Sequence, residues 1–193
     1  MNYFVTGATG FIGKRLVARL LARPGATVYF LTRSSEQPRL QEWYDYWGCD
    51  RSRAIPIVGD LTQAGLGVSE DDIGRLRGQI EHFFHLAAIY DLKASAEEQQ
   101  RANVDGTRNT VRLAEDIGAG RFHLVSSIAA AGLFEGLFRE DMFDEAENLE
   151  NPYFRTKHDS EGIVRRECTI PWRIFRPAIV VGDSRTGEMD KID

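Results

Sequence analysis

Three side chains in the second half of the sequence could together move a proton. Tyr153 and Lys157 are four residues apart, so on a helix they would share one face, about 6 Å apart along its axis. A tyrosine phenol titrates at about pH 10, and a neighbouring ammonium group stabilises its phenolate form. Ser127, at the end of an apolar run, would hydrogen-bond the same substrate oxygen. The pair alone is common on helix surfaces, but with this serine and a glycine turn it indicates proton transfer at a substrate oxygen.

The glycine turn lies near the start of the chain and has the features of a phosphate-binding loop. Gly7, Gly10 and Gly13 follow the apolar run of residues 3–5 and lead into apolar residues at helical spacing. Gly10 would let a pyrophosphate approach the main chain, and Gly13 would let the helix lie close on the strand. The helix N-terminus offers unpaired N–H groups and the positive end of its dipole. The pattern therefore predicts dinucleotide binding, with an ordinary turn as the alternative.

The end of the second apolar run bears on which dinucleotide would bind. About 20 residues after the glycines, an NAD-selective site carries Asp or Glu for the ribose 2′-hydroxyl. Here Thr32 and Arg33 stand in that place, and the first acid is Glu36. Arg33 could pair with a 2′-phosphate and stack on adenine. The sequence therefore favours NADP over NAD, and a solvated arginine at a strand end is the alternative.

Other residues at predicted strand ends could contact the same cofactor. Asp60 and Leu61 follow the third strand and would lie near the adenine. Ala87 and Ala88 follow the fourth strand and are small, as a backbone close to the nicotinamide ribose requires. The aromatic run at residues 43–47 has helical spacing, which favours packing against the sheet over a ligand platform.

Alternating strand-like and helical segments must position these residues. We predict strands at residues 2–5, 27–31, 54–58, 82–85, 122–125 and 172–175, and helices at 11–22, 38–47, 70–76, 96–117 and 152–167. Such alternation predicts one α/β domain over residues 1–193, a doubly wound parallel sheet of order 3-2-1-4-5-6 with helices on both faces.

Composition excludes several other classes of function. The 193 residues carry a net charge of −5 without a dominant basic cluster, which argues against a nucleic-acid partner. We expect no signal peptide, and no apolar run reaches the roughly 18–20 residues of a membrane span. Cys49 and Cys168 lack ligand spacing, which predicts free thiols in a reducing cytoplasm. The four histidines form no metal motif, so we expect no metal site.

Seven short motifs, taken in order, resemble the extended short-chain dehydrogenase/reductase superfamily: TGATGFIG, GDL, HLAA, NVDGT, VSS, YFRTK and FRPAIVVG. The resemblance implies a Rossmann fold and a catalytic set of Ser127, Tyr153 and Lys157, supported by Asn103 from the fourth helix. It also implies a cofactor site made of Gly7, Thr9, Gly10, Phe11, Ile12, Gly13, Arg33, Asp60, Leu61, Ala87, Ala88, Tyr153, Lys157, Pro177, Ala178, Ile179 and Val180.

Within that superfamily, three longer runs look most like fatty acyl-CoA reductases and carrier-linked thioester reductases: VYFLTRSS, HLVSSIAAAGLFEGLFREDMF and RPAIVVGDSRTGEMDKID. This implies reduction of an acyl thioester by NADPH to an aldehyde, which a second hydride could convert to the alcohol. Because family members continue further, we expect the C-terminal lobe that closes the substrate site to be missing here. The large bacterial alcohol-forming kind also carries a second reductase domain, which is the partner expected beyond the C-terminus.

Two other functions stay open at this point. A reductase or epimerase of sterols or nucleotide sugars would share every catalytic residue, although Arg33 disfavours NAD-dependent epimerases. A regulator that binds NADP(H) without turnover usually lacks the tyrosine, so Tyr153 counts against it. An apolar cluster could line an acyl groove or equally belong to the core or to a helix cover: Leu133, Phe134, Leu137, Phe138, Met142 and Phe143.

Overall fold

Six short apolar runs form one parallel sheet. The computed structural model describes residues 1–89 and 94–187, so the end of the last sequence motif, residues 188–193, lies outside the described residues. The strands are β1 (Asn2–Thr6), β2 (Thr27–Thr32), β3 (Ala54–Val58), β4 (His82–His85), β5 (Phe122–Val125) and β6 (Trp172–Phe175). Every pairing is parallel, and the order is β3-β2-β1-β4-β5-β6. The predicted fold class and strand order are confirmed.

Helices cover both faces of this sheet. They are α1 (Phe11–Leu21), α2 (Leu40–Trp47), α3 (Glu70–Leu76), α4 (Ala96–Gln99), α5 (Gly106–Asp116) and α6 (Pro152–Glu167). The predicted helix at 96–117 is wrong in one respect, because the π-helical segment Gln100–Asp105 separates α4 from α5. The helix predicted at 38–47 begins only at Leu40 in the structure. A 3₁₀ turn at Ser34–Arg39 precedes α2, and Pro38 within it lacks the N–H that a longer α-helix would use.

The core is divided between the two faces, as the alternation along the strands dictates. In β1, Tyr3 and Val5 pack against α1 and α2, whereas Phe4 packs on the face covered by α3, α5 and α6. Both faces of this central strand are buried, because parallel sheets carry helices on each side. The central strands are therefore packed against helices on both faces of the sheet.

The carboxyl ends of the strands lie along one edge of the sheet, and the predicted site residues follow them. Thr6 ends β1, Thr32 ends β2, His85 ends β4 and Val125 ends β5. The turns that follow these strand ends therefore lie side by side along one edge of the sheet. In open α/β sheets, ligand crevices form at this edge.

The described residues contain neither a membrane-spanning helix nor a metal-ligand cluster. Over residues 1–89 and 94–187, no helix is both long and apolar enough to cross a bilayer. Nor do three His, Cys, Asp or Glu side chains come together in those ranges as metal ligands would.

Candidate active site

The glycine turn between β1 and α1 leaves no room for a side chain at Gly7 or at Gly13. Gly7 has a φ of 71°, and a Cβ there would lie 2.6 Å from the backbone nitrogen of Ala87. A Cβ on Gly13 would overlap the carbonyl oxygen of Gly7. Helix α1 begins after Gly10 with no side-chain cap and no acidic residue in its first turn. Its first N–H groups lack partners within the helix, so the turn fits a phosphate group.

A cavity of about 560 Å³ extends from this turn along the sheet edge. Its walls include eight of the predicted cofactor residues: Gly7, Thr9, Gly10, Arg33, Asp60, Leu61, Ala87 and Ala88. Phe11, Ile12 and Gly13 belong to the start of α1 and are not among its lining residues. The structure thus brings together the predicted pyrophosphate, adenine and ribose contacts in one cavity.

The far end of the cavity carries a mixture of charges. The Arg33 side chain is 72% exposed and lies 3.9 Å from the Glu36 carboxylate. The N–H and hydroxyl of Thr62 donate to Asp60 and hold the pKa of that carboxyl below its usual value, with Arg33 and Arg101 adding to the shift. This end therefore presents a fixed carboxylate and an exposed guanidinium to a ligand.

Two lining residues at this end were missed by the sequence analysis. Arg39 and Trp43 both line the cavity, and the Arg39 guanidinium lies 5.4 Å from the Trp43 ring centroid. Packing was correctly predicted for Trp47, which is buried against Phe30. Helical spacing could not show that Trp43, one turn earlier, has one side on the core and the other on the cavity.

Tyr153 and Lys157 lie in the first turns of α6. The Asn151 side chain accepts a hydrogen bond from the Tyr153 N–H at 2.9 Å, so the helix is capped just before the tyrosine. The Lys157 Nζ lies 5.9 Å from the Tyr153 ring centroid and donates to the Val125 carbonyl at 3.5 Å. Burial lowers the pKa of the Lys157 ammonium to about 8, and the Glu161 carboxylate opposes the shift.

Ser127 lies two residues after β5, in a turn that packs on α6. Its Oγ accepts a hydrogen bond from the Ala129 N–H at 3.1 Å, which leaves the hydroxyl hydrogen able to donate to a ligand. His158 lies 3.1 Å from the Ala130 carbonyl oxygen through Nδ1 and stacks on Phe143 at 4.2 Å. This contact holds the turn at Ile128–Ala131 against the helix that carries Tyr153.

Asn103 lies in the π-helical segment, and its side chain holds the chain that follows β4. Its Oδ1 accepts from the Ile89 N–H at 2.7 Å, and its Nδ2 donates to the Ile89 carbonyl at 3.1 Å. The same Nδ2 lies 3.3 Å from the Thr156 hydroxyl of α6. Asn103 therefore joins the cavity wall to α6, and its supporting role toward the catalytic set stays a prediction.

The four predicted nicotinamide residues after β6 are largely exposed. The Ile128 N–H donates to the Pro177 carbonyl at 3.1 Å, so the start of this segment lies beside the serine turn. Ala178, Ile179 and Val180 are exposed, and the structure does not place them in the cavity wall. Their contact with a nicotinamide stays a prediction.

A family model described as Male sterility protein matches residues 5–193. The chain belongs to this family. One component of the linear gramicidin synthase of Brevibacillus parabrevis is 33% identical over 204 residues, which cover 98% of this chain and 4% of that protein. The Aldehyde reductase lnaA of Aspergillus flavus is 30% identical over 213 residues, or 98% of this chain and 20% of that protein. The chain thus spans a small part of these relatives.

Solved structures of related proteins share the architecture. The terminal R domain from the myxalamid PKS-NRPS biosynthetic pathway superposes with a TM-score of 0.84 at 32% identity, over 98% of this chain and 52% of that one. A UDP-glucuronic acid 4-epimerase from Bacillus cereus, in complex with NAD, gives a TM-score of 0.72 at 25% identity over 94% of this chain and 58% of that one. The resemblance to extended short-chain dehydrogenases and reductases is confirmed.

In this family member, a buried ion pair lies behind the catalytic candidates. Glu161, one turn after Lys157, is fully buried and accepts three hydrogen bonds from Arg176, at 3.0, 3.2 and 2.8 Å. Arg176 also donates to the carbonyls of Met142 at 2.9 Å and Arg139 at 3.2 Å. The pair therefore ties α6 to the chain after β6 and to the loop after Ser127. The sequence motif contained Arg176 but gave no sign of its partner.

The apolar cluster after Ser127 divides into two parts. Met142 and Phe143 are buried, so for them the core alternative is correct. Leu133 and Leu137 are exposed, the latter by 78%. Phe134 and Phe138 pack edge to face, with ring centroids 5.4 Å apart. The family member thus presents apolar surface on the loop beside the serine turn.

Burial of Lys157 makes stability depend on pH in a defined window. A lysine in the unfolded chain keeps its proton to about pH 10.5, whereas Lys157 in the folded chain loses its proton at about pH 8. Between these values the unfolded state binds more protons, so the free energy of unfolding rises with pH. We expect the wild type to gain stability over Lys157→Met between pH 7.5 and 10 in urea unfolding. If the wild type and Lys157→Met differ in free energy of unfolding by the same amount at pH 7.5 and at pH 10, the lowered pKa of Lys157 is contradicted.

Proposed function

We propose that this chain is the cofactor-binding part of an NADPH-dependent reductase that converts acyl thioesters, either fatty acyl-CoA or carrier-bound acyl groups, to aldehydes. One observation carries the proposal. Ala87 and Ala88 line both the cavity that begins at the glycine turn and the small space beside Lys157. A dinucleotide that follows the cavity from Arg33 would therefore approach Lys157, whose Nζ lies 5.9 Å from the Tyr153 ring centroid. Because the chain spans about half of the related R domain, the substrate and product belong to the proposal.

The residues present fit a dinucleotide. At Gly10 an added Cβ would meet only the Gly7 carbonyl oxygen, at 3.4 Å, so the main chain there is open to a ligand, and the start of α1 offers N–H groups to the pyrophosphate. Asp60 lies where it can accept hydrogen bonds from the adenosine half, and Trp43 offers an aromatic face nearby. When bound, the nicotinamide supplies the hydride.

The chain's own side chains would manage the proton. Tyr153 donates its phenolic proton to the thioester carbonyl oxygen as negative charge develops there, and Ser127 donates a second hydrogen bond to the same oxygen. The Lys157 ammonium, near the Tyr153 ring, stabilises the phenolate that remains and can also donate to ribose hydroxyls. Positioned acid–base groups of this kind typically contribute about 10²–10⁴-fold in rate.

Release of thiol separates thioester reduction from the other candidates. In the full-length protein, a long-chain acyl-CoA should yield free thiol in step with NADPH oxidation, because collapse of the reduced thioester expels the thiol. An aldehyde substrate would consume NADPH without any thiol. Absence of thiol release with acyl-CoA and with an acyl-phosphopantetheine carrier would contradict the proposal.

A nucleotide-sugar epimerase is the second candidate, favoured by the similarity to the UDP-glucuronic acid 4-epimerase. It would use the same tyrosine and lysine. Two features oppose it: Arg33 replaces the expected acid after β2, and Leu133 and Leu137 present apolar rather than polar surface beside the serine turn. Conversion of UDP-glucuronic acid without net NADPH loss would favour this candidate.

Arg33→Glu should raise the Kd for NADPH by about 10- to 100-fold and leave the Kd for NADH nearly unchanged. A hydrogen bond to a charged group is worth about 1.5–3 kcal/mol, and the new carboxylate would repel the 2′-phosphate. Fluorescence titration with both dinucleotides measures this.

The control for this change is Arg19→Glu, which alters the charge equally at an exposed position near the end of α1. It should leave both dissociation constants as in the wild type. A wild-type chain that binds NADH as tightly as NADPH would contradict the assignment of Arg33.

A further inference from the structure

His85 is a fully buried histidine that the proposed mechanism does not use. It ends β4 between Thr6 at the end of β1 and Thr107 of α5. Its Nδ1 lies 2.7 Å from the Thr6 hydroxyl oxygen, and its Nε2 lies 3.1 Å from the Thr107 hydroxyl oxygen. Both ring nitrogens therefore have one partner each, and both partners are hydroxyl groups.

The hydrogen bonds around His85 can run in only one direction. The Thr107 hydroxyl lies 2.5 Å from the Asn103 carbonyl oxygen, which can only accept, so this hydroxyl must donate there. Its oxygen then accepts from His85, which places a proton on Nε2. Burial, with the positive charge of Lys157, lowers the pKa of His85 to about 3, so the ring is neutral and Nδ1 carries no proton. Thr6 must therefore donate to Nδ1.

Each end of this chain of hydrogen bonds reaches backbone at the candidate site. At one end, the Ala87 N–H donates to the Thr6 hydroxyl oxygen at 3.3 Å. At the other end is Asn103, whose side chain holds both the N–H and the carbonyl of Ile89. Residues 87–89 all line the cavity. The segment is thus held at Ala87 by Thr6, a direct partner of His85, and at Ile89 by the side chain of Asn103, whose backbone carbonyl accepts from Thr107.

We propose that His85, held as the neutral Nε2–H tautomer between Thr6 and Thr107, is a positioning residue that sets the cavity wall at residues 87–89. This inference rests on the proposed function, because it assigns that wall to the cofactor. The imidazole acts through Thr6 on Ala87 and through Thr107 on the backbone of Asn103.

The tautomer is tested directly by ¹⁵N NMR of the histidine-labelled chain at pH 7. Single replacements of His82, His123 and His158 assign the four histidines. The His85 ring should show a protonated Nε2 and an unprotonated Nδ1. A protonated Nδ1 would overturn the proposal, whatever the cofactor preference of the chain.

The positioning role is tested with threonine-to-valine variants, which keep the shape and remove the hydroxyl. Thr6→Val and Thr107→Val should each raise the dinucleotide Kd by about tenfold, the change that accompanies loss of roughly 1.4 kcal/mol. Thr110→Val is the matched control: Thr110 is also buried in α5 and donates to the carbonyl four residues earlier, at 2.6 Å, but does not contact His85.

The control separates positioning from a simple loss of stability. Thr107→Val and Thr110→Val should lower the Tm to a similar extent, yet only the former should weaken binding. Titrations use whichever of NADPH and NADH the wild type binds more tightly. Equal Kd values for all three variants would overturn the positioning role. A wild type that binds neither dinucleotide would overturn the proposed function. In that case the NMR measurement of the His85 tautomer would still test the proposed chain of hydrogen bonds.

Discussion

Replacing Tyr153 by phenylalanine will lower kcat/KM for thioester reduction by about 10²–10⁴-fold in the full-length protein. The phenyl ring keeps the packing at the start of α6 and leaves Lys157 in place, so only the proton donor is lost. The Kd for NADPH should therefore stay within about twofold of the wild type. Single-turnover NADPH oxidation separates the chemical step from binding.

Tyr46→Phe is the matched control for this change. Tyr46 also has a lysine ammonium near its ring, since the Lys14 Nζ lies 5.2 Å from its centroid, but Tyr46 is exposed on α2 outside the cavity wall. Its removal should leave the rate unchanged. A Tyr153→Phe variant with wild-type turnover would show that another group donates the proton.

Lys157→Ala should behave differently from the tyrosine variant. Because the ammonium is proposed both to stabilise the phenolate and to contact the ribose, its loss should lower the rate and weaken NADPH binding together. Tyr153→Phe should lower kcat and leave the Kd for NADPH unchanged, whereas Lys157→Ala should lower kcat and raise the Kd. This difference between the two variants would distinguish the two roles.

Replacing Arg176 by methionine will lower the free energy of unfolding by about 3–5 kcal/mol, the usual effect of leaving a buried charge without its partner. Glu161 is 0% exposed and Arg176 is 14% exposed, so water cannot readily replace the guanidinium, and the other guanidinium near Glu161, that of Arg165, lies farther away at 3.8 Å. The carbonyls of Met142 and Arg139 lose a donor in the same variant. Urea unfolding followed by circular dichroism gives the change.

Arg108→Met is the control for the ion-pair argument. Arg108 also pairs with a glutamate of α6, Glu167, at 3.2 Å, but the two side chains are 34% and 42% exposed. Its loss should cost about 0–1 kcal/mol, because water solvates both groups. The double variant Arg176→Met/Glu161→Gln should recover part of the stability, since the buried Glu161 carboxylate no longer remains without Arg176. Equal destabilisation by Arg176→Met and Arg108→Met would contradict the buried-pair argument.

Local patterns were sufficient to predict the sheet and the position of the site along it. Short apolar runs alternate with helical spacing, and only one handedness of crossover is common, so the strand order followed from the sequence. The glycines were predictable for a similar reason. A turn from β1 directly into α1 leaves no space for a Cβ at Gly7 or Gly13, and this constraint acts within a few residues.

Contacts between distant residues were beyond the reach of the sequence. Helical periodicity predicted one helix at 96–117, but it is silent about the π-helical turn that brings Asn103 to Ile89 and Thr156. The same limit applies to Trp43, because a helical pattern shows which side faces the sheet and not what lies beyond its edge.

The sequence by itself determined which elements form, their order in the sheet, and that Tyr153 and Lys157 share a face of α6, since these depend on local conformation and hydrophobic periodicity. Only the tertiary structure decided the electrostatic setting of the site. The depressed pKa of Lys157, the Glu161–Arg176 pair and the orientation of His85 depend on burial and on groups brought together from separate elements. Desolvation and hydrogen-bond direction exist only once those elements have packed.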